Sequence, residues 1–192
     1  MRRTRQQLEF LTTKWSHRYS HGGELRKLRA GRGARPLLRK TPIHLVLKAN
    51  RKSLRGGFRT YRRYFLIQKL LDRYSRKFFV KVEQVSIQHD HIHLLIRAHR
   101  RSQMQNFFRV FSGQVAQQLE RADLLGSGSP KQSAKSVTDT PAQRSLTPRT
   151  TQSRPKLWKH RPFTRVVKGW KAYKIVRKYI DLNEHEAMGR IF

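Results

Sequence analysis

The run His91-Ile92-His93-Leu94-Leu95-Ile96 sets large apolar residues at 92, 94 and 96 against imidazoles at 91 and 93. Successive side chains of a strand point to opposite faces, so this spacing calls for a sheet with one apolar face and one face carrying both histidines. Two imidazole nitrogens on one rigid element suit a divalent metal, and suit equally an ordinary hydrogen-bonded surface pair. His89 falls in the same parity and is read as a solvated residue, or as one that supports the other two.

Charge narrows the partners. Forty-four Lys and Arg stand against eleven Asp and Glu, a formal net charge of +33 over 192 residues. Such a surface attracts polyanions, and counterion release from nucleic acid is the usual source of binding energy. No apolar run reaches transmembrane length, so a membrane partner is not expected. The Arg-rich start lacks the apolar segment of a secretory signal and is read as a basic arm on nucleic acid. Cysteine is absent, which excludes disulfides and thiolate metal sites and fits a reducing, cytoplasmic, nucleoid-associated setting.

Composition divides the chain into three. Residues 1–40 form a basic N-terminal extension, with a helix expected around Gln6 to Arg18. Residues 126–155 are rich in Ser, Thr, Pro, Gly and Gln without an aromatic, so they cannot bury enough surface to offset their ordering entropy and are expected to be disordered. Residues 41–125 and 156–192 supply one domain. Within it, Pro42 to Ala49 alternates as a strand, and Phe58 to Arg76 repeats Tyr61, Tyr64, Phe65, Leu71 and Tyr74 as a helix face. Phe78 to Ile87 and His91 to Ala98 read as a hairpin turning at Asp90. Ser102 is the expected cap of a helix whose buried face is Met104, Phe107, Phe108, Phe111, Val115 and Leu119. Pro162 to Lys168 is a short strand, and Gly169-Trp170 opens a last helix to about Asn183. The order β-α-β-β-α-β-α points to an α+β, ferredoxin-like sandwich: an antiparallel sheet with helices on one face, plus the C-terminal helix. RNA-recognition modules share that topology, but Phe78 and Phe79 lack their alternating aromatic pattern.

The last helix completes a constellation. Tyr179 and Asn183 lie one turn apart on one face. A metal held by His91, His93 and the Asn183 side-chain oxygen would sit beside the Tyr179 hydroxyl, where it can polarise a phosphate while the tyrosine attacks phosphorus. Lys48, Arg51, Lys52, Arg55, Arg59, Arg62 and Arg63 make a candidate phosphate-contacting track. Trp158 and Trp170 are expected to pack against the sheet rather than to stack on bases.

His91-Ile92-His93 followed by Leu94-Leu95-Ile96 resembles the His-hydrophobe-His motif of single-strand DNA transposases of the HUH endonuclease class. Tyr179-Ile180-Asp181-Leu182-Asn183 resembles their tyrosine motif, with the terminal Asn similar to REP-associated tyrosine transposases; insertion-sequence members usually end in Gln. Leu157 to Phe163 and Arg165-Val166-Val167 resemble the segment before the tyrosine helix in that subgroup, and the likeness spans about 42–125 and 156–187. The resemblance implies cleavage and rejoining of single-stranded hairpin DNA through a 5′-phosphotyrosine. Tyr179 is then the nucleophile, His91, His93 and Asn183 are the ligands of Mg²⁺ or Mn²⁺, and no small-molecule substrate or nucleotide cofactor is needed. It allows a monomer or a homodimer. The proline that often follows the motif's Asn is replaced by Glu184, which lets the helix continue. A domesticated binder of structured DNA or RNA that no longer cuts is the alternative. A basic ribosome-associated protein would explain the charge but not the spacing of the four site residues.

Overall fold

A computed structural model describes residues 19–24, 34–54, 56–125 and 156–189. The helix expected at Gln6 to Arg18, the 126–155 segment and Arg55 lie outside these residues.

Five strands form one antiparallel sheet: β1 (Ser20–His21), β2 (Ile43–Lys48), β3 (Lys81–Ile87), β4 (His91–Arg97) and β5 (Phe163–Val166), in the spatial order β1-β5-β2-β4-β3. Helices α1 (Tyr61–Lys77), α2 (Arg101–Arg121) and α3 (Trp170–Ala187) complete the described fold. The four longer strands and first two helices follow the ferredoxin-like connectivity expected from the pattern of elements. Ser20 and His21 add an edge strand opposite Arg165 and Thr164. Two residues carry no periodicity, so that strand leaves no local mark in the basic stretch.

Alternation along β2 and β4 divides the sheet into two faces. Ile43, Leu45 and Leu47 of β2, with Ile92, Leu94 and Ile96 of β4, are buried in the main core beneath α1 and α2. α2 contributes Met104, Phe107, Phe108, Phe111, Val115 and Leu119, the face its periodicity indicates. Its start differs from expectation. The helix begins at Arg101, and the Gln103 Oε1 accepts the Arg100 amide at 2.9 Å, so Ser102 is already inside the helix. α1 also differs: it buries Ile67, Leu70, Leu71 and Tyr74, while Tyr61 and Phe65 lie against each other outside, their rings tilted at 57°. Rows i, i+3, i+4 and i+7 starting at 67 form the apolar stripe, and the aromatic pair at 61 and 65 lies beyond its edge.

The opposite face carries a second, smaller core. Leu95 of β4 meets Val167 and the α3 residues Val176 and Ile180, with Ala172, Tyr173 and Tyr179 packed around them. Gly169 precedes α3 with φ +81°, a left-handed backbone that favours glycine and turns the chain from β5 back across the sheet. α3 runs on past Asn183 to Ala187, as the loss of proline allows. Trp158 packs as expected: its ring lies 5.9 Å from Phe58 and its indole N–H donates to Ser112 O at 2.9 Å. Trp170 does not pack, and is 67% exposed.

Candidate active site

The face under α3 brings together His91, His93 and Tyr179 of the sequence-derived constellation. On β4, His91 and His93 project to this side with ring centroids 4.7 Å apart, because Ile92, Leu94 and Ile96 are committed to the main core. β2 lies beside β4 with His44 on the same face, and His44 Nε2 is 3.0 Å from His93 Nδ1. Tyr179 of α3 reaches this cluster, with its ring edge-on to His93 at 5.5 Å and to His44 at 6.2 Å. One strand and one helix, 86 residues apart in sequence, therefore converge within a single chain.

Each imidazole of the pair is held through its Nδ1. His91 Nδ1 lies 2.6 Å from Asp90 Oδ1, and Asp90 Oδ2 accepts from Arg51 Nε at 2.9 Å. Burial alone would raise the Asp90 carboxyl, but hydrogen bonds from His91 and Arg51 outweigh it and hold the group below the usual carboxylate range. His93 is held by His44. Both rings are buried, and burial pushes each pKa down: His44 to about 3, with Arg165 adding to the effect, and His93 well below its ordinary value, with His44 and His91 adding. Neutral rings present a lone pair, which is the form a metal requires.

That leaves the Nε2 atoms. Among the described residues His93 Nε2 is buried without a hydrogen-bond partner, a costly state for a polar atom in the interior unless something else uses its lone pair. Metal-binding histidines are commonly oriented in this way, one nitrogen toward the ion and the other held by a carboxylate or another acceptor. Among the described residues no three His, Cys, Asp or Glu side chains converge as a metal cluster, so further ligands would come from an amide oxygen or the substrate. Asn183 lies one turn beyond Tyr179 on α3. It is buried, and its Nδ2 donates to Tyr179 O at 2.8 Å, which leaves Oδ1 as the donor atom for a cation. Among the described residues no hydrogen bond joins its side chain to either histidine of β4.

The C-terminal half of α3 is clasped to the end of β3. Glu184 Oε2 accepts the Ile87 amide at 3.0 Å, and its Oε1 accepts from Arg59 at 3.1 Å. The same Arg59 nitrogen donates to Ile87 O at 2.9 Å. Gln88 donates to Asn183 O and to Ser86 Oγ, and Gln84 donates to Asp181. Glu184, met in the sequence only as a departure from proline, is thus a fastening of the tyrosine helix. His44 was also missed. Its parity in Pro42 to Ala49 was visible, but its pairing with β4 is a long-range fact.

The basic track divides. Lys48 is exposed and lies opposite His91 in the β2–β4 register, while Arg51, Lys52 and Arg62 are exposed on the adjoining loop and helix start. Arg63 is buried and donates to Gly57 O at 2.8 Å, and Arg59 is engaged by Glu184. His89 sits in the turn between β3 and β4 rather than on the strand; its ring covers Gly57, where a Cβ would lie 2.3 Å from His89 Nδ1.

With this geometry in place, residues 39–125 match the family described as transposase IS200-like. The matched segment includes β2, β3, β4 and both histidines, and ends before Tyr179. A solved structure of a REP-associated tyrosine transposase bound to a REP hairpin is 12% identical, with a TM-score of 0.55 over 84% of this chain and 76% of that one; the likeness is one of fold. A Deinococcus radiodurans R1 protein described as a putative transposase is 12% identical over 80% of this chain and 98% of its own, with a TM-score of 0.43. No curated protein matches the sequence. Among the described residues no helix is long and apolar enough to cross a membrane.

Proposed function

We propose that this chain is a metal-dependent tyrosine transposase that cuts and rejoins single-stranded hairpin DNA. The observation that carries the reading is the meeting of Tyr179 with His93, itself paired to His91, on the face of the sheet under α3. A phenol alone is a weak nucleophile, and two imidazoles alone do nothing to a phosphodiester. Together they offer an attacking oxygen and a place for positive charge beside it.

His91 and His93, through Nε2, and Asn183, through Oδ1, would hold Mg²⁺ or Mn²⁺; the bound ion would withdraw charge from a non-bridging phosphate oxygen. Tyr179 Oη attacks phosphorus and loses its proton. The new O–P bond replaces the bond to the 3′-oxygen, which departs and is protonated to a 3′-hydroxyl. The 5′-phosphotyrosine conserves the bond energy, so attack by another 3′-hydroxyl reseals a strand without a nucleotide cofactor. α3 orients the nucleophile through its small core with Leu95 and its clasp at Glu184. Lys48, Arg51, Lys52 and Arg62, and from the sequence Arg55, would contact phosphates. Tyr179, His91 and His93 meet within one chain, which supports a site that does not require a second subunit, in a monomer or a homodimer.

Incubation of the protein and Mn²⁺ with end-labelled hairpin DNA should give a protein–DNA adduct that survives denaturation. Tyr179→Phe should abolish it, and EDTA or His91→Ala should suppress it. An adduct that persists in Tyr179→Phe overturns the nucleophile. Binding with no adduct under any of Mg²⁺, Mn²⁺ or Co²⁺ identifies the domesticated binder instead.

A further inference from the structure

The start of α3 carries an arrangement the cleavage step does not use. Trp170 and Tyr173 stack with centroids 5.4 Å apart and planes 15° from parallel. Tyr173 is anchored in the small core with Val176 and Ile180, whereas Trp170 leaves 67% of its surface in water. A tryptophan left in water forgoes the gain of burying its ring, and nothing in the packing of α3 demands one at its first residue.

The surroundings point to a polyanion. Lys168, Lys171, Lys174, Arg177 and Lys178 are all exposed, and no carboxylate occurs in the sequence from 167 to 180. Lys174 Nζ lies 5.1 Å from the Trp170 ring centroid, and Lys168 Nζ lies 4.1 Å from that of Tyr19. Exposed rings interleaved with cations bind unpaired nucleotides: the base stacks and the ammonium takes the neighbouring phosphate. A base pair inside a duplex has both faces covered by its neighbours and cannot use such a ring.

We propose that Trp170, backed by Tyr173 and flanked by Lys171 and Lys174, is a base-stacking site for an unpaired nucleic-acid strand. Its place on a cleaved strand rests on the function proposed above, but its binding does not. Both failures can therefore be told apart by measuring binding of the full chain in EDTA, where no cleavage is expected.

The probes are a fluorescent thymidine 12-mer and a blunt 12-base-pair duplex, titrated by anisotropy across a salt series. Trp170→Ala should weaken the 12-mer at least fivefold, from the usual worth of one stacked base, and leave the salt slope and the duplex affinity unchanged. Trp170→Phe, which keeps a ring, should recover most of the loss. Lys174→Ala should weaken both probes and lower the salt slope by about one. Position 170 is on the surface, so the fold should survive, as circular dichroism will show. The proposal is overturned if Trp170→Ala binds the 12-mer within twofold of the wild type, or if it weakens the duplex equally.

Discussion

Replacing Glu184 by Ala tests whether the tyrosine helix is fastened as the structure indicates. The carboxylate makes two charge-assisted contacts, to the Ile87 amide at 3.0 Å and to Arg59 at 3.1 Å. The ion pair is largely enclosed, with side-chain exposures of 24% for Arg59 and 18% for Glu184. A hydrogen bond to a charged group contributes about 1.5–3 kcal/mol, and an orphaned partner adds its own desolvation penalty. The two contacts are not additive here: Arg59 keeps its bond to Ile87 O, and water can reach a quarter of its side chain. The expected loss for Glu184→Ala is therefore about 2–3 kcal/mol. Glu184→Gln keeps an acceptor for the amide and should cost about 1 kcal/mol. Urea unfolding at pH 7, with Arg59→Met and the double variant completing a cycle, measures both the total and the coupling. A loss below 0.5 kcal/mol for Glu184→Ala, or equal losses for Ala and Gln, would refute the clasp.

Two further outcomes follow from the histidine cluster. His44 and His93 stay neutral in the fold, with pKa values lowered to about 3 for His44 and well below normal for His93, so the unfolded chain binds protons that the native chain refuses. Stability must then fall as pH drops below about 6.5, by about 2 kcal/mol per imidazole between pH 7 and 5. Asp90, whose pKa is lowered, adds its own loss only in and below the normal carboxylate range. Urea midpoints at pH 7 and 5 check this, and a flat profile would contradict the burial of neutral rings. Separately, His44→Ala should weaken Mn²⁺ binding by about 10- to 100-fold by releasing His93 Nδ1, while His44→Asn, which offers the same N–H an acceptor, should retain part of the affinity; calorimetric titration with Mn²⁺ reads both, and unchanged affinity in a folded His44→Ala protein would exclude the orienting role.

What was legible in the sequence was what periodicity encodes. The α2 face from Met104 to Leu119 and the two faces of β4 follow from spacing alone, because each residue's side is fixed by its own backbone period. α1 was half legible: aromatic weight drew attention to Tyr61 and Phe65, whereas Ile67 and Leu70 form the buried row. The partners of the site were less visible. His44 touches His93 only because β2 lies beside β4, and sheet order is a long-range property. Asp90 read as a turn residue, yet the same turn places its carboxylate on His91 and Arg51. The arginine run looked uniform in sequence, but the fold takes Arg59 and Arg63 inward and leaves Arg51 and Arg62 in solvent. Charge counts cannot separate those roles, since a guanidinium serves a carbonyl or carboxylate as well as a phosphate.

The central claim is that Tyr179 is the residue that joins to DNA. It is tested most directly by nuclease-trimming the denaturation-resistant adduct, digesting it with trypsin and sequencing the peptides by mass spectrometry. The peptide beginning at Tyr179 should carry a nucleotide through its 5′-phosphate on the tyrosine oxygen. A nucleotide on Tyr173 or any other side chain, or attachment through a 3′-phosphate, would contradict it.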